Sequence, residues 1–300
     1  MIKLTYDVYS GRPNPEVIVL DEQESLATLR EVAKDRALLD SASTTDVGLG
    51  FRGVAIEALS DDFAERSDMP PSLYIPAAAA KQGRVAEHLE RLIELAKRGA
   101  ATAAADSLDP LLDFLKGQLG GGSRVTLQDR SREPMAQPQD EAMDVTCSIE
   151  SGTFNPGFWN NDATIRQTNN CYNYGSNKRT NTFAQPGKGC GHMYTAITCA
   201  EVTRAALCDG LHRRFDCFPD AEKPRWLMAL VVAPGPGFVD YHWYRRSKEG
   251  FWGHKPGSTA ARNTDNSNRV ITDPSTCDRG PYVHFCGYFY SCKTQQQRIK

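Results

Sequence analysis

The sequence predicts an α+β protein of two domains joined by a flexible linker, and three observations predict it. All nine cysteines, at positions 147, 171, 190, 199, 208, 217, 277, 286 and 292, lie after residue 146. Charge divides the same way. Residues 1–118 hold 13 Lys and Arg against 20 Asp and Glu, a net of −7, whereas residues 147–300 hold 19 against 12, a net of +7. Between them, 119–146 is rich in Gly, Pro, Gln and alternating charge, with too few large apolar side chains to offset the entropy of ordering. The domains read from this are 1–118, α+β, for targeting or partner binding; 119–146, a linker; and 147–300, cysteine-rich and α+β, with an antiparallel sheet.

In the first domain "IKLTYDVYS" alternates as a strand and "GRPNP" bends the chain. "LDEQESLATLREVAKDR" reads as a helix, with Asp21 as N-cap and Glu24 closing a capping box. "FRGVAIEAL" and "SLYIP" read as strands. In "RVAEHLERLIELAKR" the spacing of Val85, Leu89, Leu92 and Ala96 predicts one apolar helical stripe, with His88 solvated on the polar face. "DPLLDFLKGQL" adds a helix. In the second domain "TCAEVTRAALCDGLHRR" is predicted as a helix opened by a Thr198/Glu201 capping box. "RWLMALVVA", "FVDYHWYRR", "FWGHK", "RVITD" and "YVHFCGYFYSC" follow as strands separated by Gly and Pro turns. A helix followed by antiparallel strands is an α+β order.

Composition excludes several classes. No apolar run approaches the roughly 18 residues of a membrane span. Basic residues of the second half are scattered and form no stripe with stacking aromatics, which argues against nucleic acid. "GKGCGH" lacks phosphate-loop spacing. Cys190 and His192 form a Cys-x-His without a second pair, and no metal-hydrolase cluster occurs, so neither metal nor cofactor is expected. Cysteine density predicts disulfides, and an odd count predicts four bridges and one remaining thiol, Cys171. The opening "MIKLTYD" has no apolar leader core, so the expected location is exported or secreted by a route without a Sec signal, the alternative being cytoplasmic.

Cys171 stands in an Asn- and Gln-rich stretch, "TIRQTNNCYNYGSNKRTNTFAQPG". Gln167, Asn169 and Asn170 are candidate donors to an oxyanion beside a reactive thiolate; the alternative is that the amides bond local backbone in turns. With Arg246–Gly250 as a hairpin tip, Tyr244 faces Trp252 and His242 faces His254 on one side of the sheet, so two imidazoles lie together, one as base and one orienting it. His242 also reads as a structural histidine of a sheet. His192, His212 and His284 read only as structural. Asp265 and Asp273 rival His254 for the orienting position.

The order "NNCYNY", "HWYR", "GHKPG" resembles papain-like thiol hydrolases, in particular the NlpC/P60-like branch, over roughly residues 160–275. The resemblance implies a papain-like second domain with Cys171 as nucleophile, His242 as general base and acid, and His254 as orienting residue. It implies a cysteine hydrolase, with no cofactor, that cleaves an amide bond in a peptide, a protein or peptidoglycan through a thioester. A transferase variant would use the same residues, and the peptidase could be a delivered toxin. The alternative is a non-catalytic, disulfide-stapled module that holds a glycan or protein partner through exposed Trp and Tyr side chains.

Overall fold

The computed structural model describes residues 1–35, 48–67, 70–81, 84–99, 105–119, 149–213 and 220–300. The predicted linker lies outside the described residues from 120 onward. The fold is α+β, with two antiparallel sheets. The chain divides into two compact units. The first comprises Met1–Tyr9, Asn14–Arg124 and Gly235–Phe238, and the second Ser10–Pro13, Val125–Pro234 and Val239–Lys300.

The first unit runs β1 (Ile2–Asp7), β2 (Glu16–Val19), α1 (Glu22–Ala33), β3 (Gly53–Ala58), α2 (Asp61–Ser67), β4 (Ser72–Pro76), α3 (Val85–Gly99) and α4 (Ala105–Leu119). Its sheet has the order β2-β1-β3-β4. Ile2, Leu4 and Tyr6 share a face with Val17, Val19, Val54, Ile56, Leu73 and Ile75, all buried, while Lys3 on the other face pairs with Glu57 at 2.7 Å. The reading from sequence passes over β2, whose four residues alternate correctly but are too few to stand out.

Asp21 caps α1 by accepting from Glu24 N at 2.9 Å, but the Glu24 carboxylate pairs with Arg98 and closes no capping box. In α3, Val85, Leu89, Leu92 and Ala96 are fully buried, as their spacing predicts. His88 departs from prediction. It is 3 % exposed, with Nε2 2.6 Å from Asp35 Oδ2. The reason lies in helical geometry: His88 falls three residues after Val85 and four before Leu92, inside the apolar stripe. Arg52, also buried, places Nη2 2.6 Å from Asp7 Oδ1, and Asn14 and Tyr74 donate to the same carboxylate.

The second unit runs α5 (Gly157–Asn160), α6 (Ala163–Thr168), α7 (Cys171–Gly175), α8 (Cys199–Cys208), β5 (His212–Arg213), β6 (Trp226–Pro234), β7 (Val239–Arg246), β8 (Trp252–His254), β9 (His284–Ser291) and α9 (Lys293–Arg298). The sheet order is β5-β9-β6-β7-β8. Helix α8 ends well short of residue 214 because Gly210 turns the chain at φ +101°. Thr198 caps it, while the Glu201 carboxylate goes to Thr195 and Arg204. "RVITD" forms no strand and contributes only single bridges, Trp252 to Ile271 and Thr264 to Val270.

One face of this sheet carries Met228, Leu230 and Val232 of β6 and Tyr241 and Trp243 of β7. They pack with Cys171, Tyr172, Val202 and Ala206. Disulfides join Cys190 to Cys208 and Cys199 to Cys286. Cys171, Cys277 and Cys292 are buried thiols, and Cys147 and Cys217 lie outside the described residues. Three thiols among nine cysteines leave no room for the four bridges expected. Among the described residues no helix is long and apolar enough to cross a membrane.

Candidate functional site

The Asn-rich stretch is built around α7. Asn170 is its N-cap: Oδ1 accepts from Tyr172 N and Asn173 N, and Asn173 Oδ1 returns a bond from Asn170 N, a capping box made of two amides. Asn170 Nδ2 donates to Gly11 O and Ala184 O, and Asn173 Nδ2 to Lys178 O and Thr180 Oγ1. Asn169 accepts from Thr180 N and Asn181 N and donates to Ile165 O and Asn181 Oδ1. All three side chains are buried. Their donors are spent on the protein's own carbonyls and hydroxyls, and Gln167 is exposed, so no oxyanion site is assembled from the three candidates. The turn-bonding alternative is the one the structure adopts.

Cys171 opens α7 and is fully buried, its thiol 4.0 Å from Tyr241 O. Burial pushes its pKa well above the ordinary thiol range, and the Asp240 carboxylate adds to that; the Trp243 N–H and Lys255 oppose them with smaller effect. This is the reverse of the activation a nucleophilic thiolate needs. A helix of five residues supplies little dipole to offset it.

The histidines do meet. His242 Nε2 is 2.9 Å from His254 Nδ1, and both rings are buried. The hairpin register differs from prediction by two residues: Tyr244 faces His254 and Arg246 faces Trp252. A shift of two preserves the face and makes His242 and His254 diagonal neighbours. Burial first, then the Arg262 charge, lower His254 to a pKa of about 3, so its ring is neutral. Its Nε2 lies 3.0 Å from Thr264 O and must carry the hydrogen. Nδ1 is therefore the acceptor, and His242 Nε2–H donates to it.

Tyr241 and Trp243, on either side of His242 in β7, pack with Cys171, and strand alternation turns the His242 ring to the other face. There it lies 4.8 Å from the ring of Tyr244 and 5.7 Å from that of Tyr282. The carboxylate rivals are structural. Asp265 accepts from Ser267 N, Arg269 N and Asp278 N, and Asp273 from Ser275 N and the Tyr288 hydroxyl. The group that orients His254 is the Thr264 carbonyl, which residue type alone could not reveal. Lys255, unremarked in the sequence, is buried with its ammonium donating to Arg166 O, Asn169 O and Gly257 O, and so holds the loop before Cys171. Cys190 is committed to a disulfide and not to a metal.

Comparison with known proteins supplies what the geometry does not. No family model matches the chain, and no solved structure matches it. A stretch of 138 residues is 50 % identical to insoluble matrix shell protein 1 of Ruditapes philippinarum, covering 46 % of this chain and 88 % of that protein. That relative is named for an insoluble shell matrix, and the finding overturns the expectation of a cysteine hydrolase, thiol protease or delivered toxin. At this identity, over nearly the whole of the relative, the chain belongs to the family of insoluble matrix shell protein 1.

Proposed function

We propose that this protein is a non-catalytic structural component of an extracellular matrix, secreted and retained there through protein or glycan partners. The observation that carries the reading is the 50 % identity to a shell matrix protein across 88 % of its length. The second unit agrees with it. Two disulfides suit an oxidising exterior, and the thiol and imidazoles that a hydrolase would use are buried and occupied. Partners are not held by a platform of exposed tryptophans, because Trp159, Trp243 and Trp252 are at most 5 % exposed and serve as core, and Trp226 is half-buried.

The test pairs two measurements on the full, unreduced chain. The first is sedimentation with a washed insoluble organic matrix; the second is iodoacetamide labelling near pH 8 with peptide mapping. Retention in the pellet and an unlabelled Cys171 are expected. A fast adduct on Cys171, or a chain wholly in the supernatant, overturns the reading.

A further inference from the structure

Strand β8 is three residues long, lies at the edge of its sheet and pairs with β7 at Trp252, Gly253 and His254. His254 N donates to Arg262 O and His254 O accepts from Arg262 N, both at 2.8 Å. Its ring donates to Thr264 O and accepts from His242. Trp252 N adds a bond to Ile271 O at 2.8 Å. The segment 262–271, which has no regular strand of its own, therefore reaches the sheet by way of β8, and β8 reaches β7 by the hairpin pairing and the histidine bridge.

We propose that the His242–His254 pair is an acid latch: a proton on His254 Nδ1 displaces the His242 donor and releases β8 and residues 262–271 from β7 while the β9-β6-β7 centre of the sheet stays folded. The charged and titratable groups around the pair come from four directions, the first being α7, which brings Cys171 toward Tyr244 and Tyr282 and sets the Tyr174 hydroxyl against Gly253 of β8. On β7 they are Asp240 and Tyr244. On the stretch that follows β8 they are Arg262, Asp265 and Tyr282, with Arg279 and Cys277 acting on Tyr244 and with the Lys255 ammonium turned to the carbonyls of 166, 169 and 257. From β6 the cross-strand neighbour of His242 is Val231, which brings no charge.

Both carboxylates are already engaged. Asp240 accepts the N–H groups of Ser10, Gly11 and Arg12 and the Tyr282 hydroxyl, and Asp265 accepts three backbone N–H groups. Burial, and after it the Arg262 charge, lower the proton affinity of His254. A proton is thus taken up in the open form, where the His254 ring regains water. The sign follows. Below the ordinary imidazole value of 6.5 the open state binds a proton the closed state refuses, so opening is favoured as pH falls, through a window that for His254 extends to about 3.

Hydrogen exchange on the full, disulfide-intact chain between pH 7.5 and 4, corrected for intrinsic rates, tests this. The opening constant of the amides of Trp252, His254, Arg262 and Ile271 should rise about tenfold per pH unit below 6.5, the slope of the single His254 proton, while those of Leu230 and Val232 do not share the slope. His254→Gln retains an amide donor and acceptor without a titrating group and should flatten the slope by about tenfold per unit. If that variant does not fold, the wild-type contrast between the two sets of amides decides. A common slope at both sets, no slope at either, or a folded His254→Gln with an unchanged slope overturns the latch.

Discussion

The two units solve the burial of polar groups in opposite ways. In the first, long amphipathic helices cover a four-stranded sheet, and the interior holds an ion pair, Asp7 with Arg52, saturated by Asn14, Tyr74 and backbone carbonyls. In the second, α5, α6 and α7 have four, six and five residues, too short to hold themselves; amide side chains and the Lys255 ammonium tie the loops around α6 and α7, and disulfides fasten α8. Where helices are long, side chains need only pack. Where they are short, side chains must replace the missing backbone hydrogen bonds.

The largest break in that comparison is expected at the ion pair. Asp7→Ala strands a guanidinium that is 1 % exposed and should cost about 3–5 kcal/mol in urea unfolding, felt in the first unit. A loss below about 1 kcal/mol would show that water reaches Arg52 and that the two interiors differ less than they look. Next come the bridges. Replacing Cys199 and Cys286 together by serine opens a span of 87 residues and should cost about 4 kcal/mol, against about 3 kcal/mol for Cys190 and Cys208 at a span of 18. Reduction should weaken protection of the second unit and leave the first unchanged, because residues 1–118 hold no cysteine. Smallest of the three, Asn170→Ala removes the cap acceptor of two N–H groups and both amide donations and should cost about 2–3 kcal/mol, located by faster exchange at Tyr172 and Asn173. An undiminished protection at those amides would mean that the disulfides, and not the amides, hold α7.

Sequence made the frame legible where one side of an element faces the core. The α3 stripe, the strand character of β6 and β7 and the caps at Asp21 and Thr198 follow from spacing and residue type. It failed where both sides are buried. In "VDYHWYRR" the burial pattern is almost continuous, so nothing in the string tells which face His242 takes or that Tyr241 and Trp243 share the other with Cys171. The hairpin register differs by two because a five-residue tip from Arg246 to Gly250 leaves Arg246 outside the strand, whereas Arg246 itself pairs with Trp252. Helices α5 to α7 were hidden because their hydrogen bonds run to amide side chains rather than along an apolar period. The likeness to a shell matrix protein was not legible in the motifs, since the Cys and His order that suggested hydrolysis holds a fully buried thiol whose pKa is pushed up.

The Asn169–Asn170–Asn173 cluster also bears on how this molecule ages. Spontaneous loss of ammonia from asparagine requires the next backbone nitrogen to attack the side-chain carbonyl. Here the nitrogen after Asn169 is held by Asn173 Oδ1, the nitrogen after Asn173 is held by Asn170 O, and Asn170 Oδ1 is pinned by two N–H groups. The same bonds that fasten the loops therefore slow the reaction that would turn Asn170 into a carboxylate pressed against the carbonyls of Gly11 and Ala184. Folding acts here as a preservative, and the first deamidated asparagines in old material should come from outside these three.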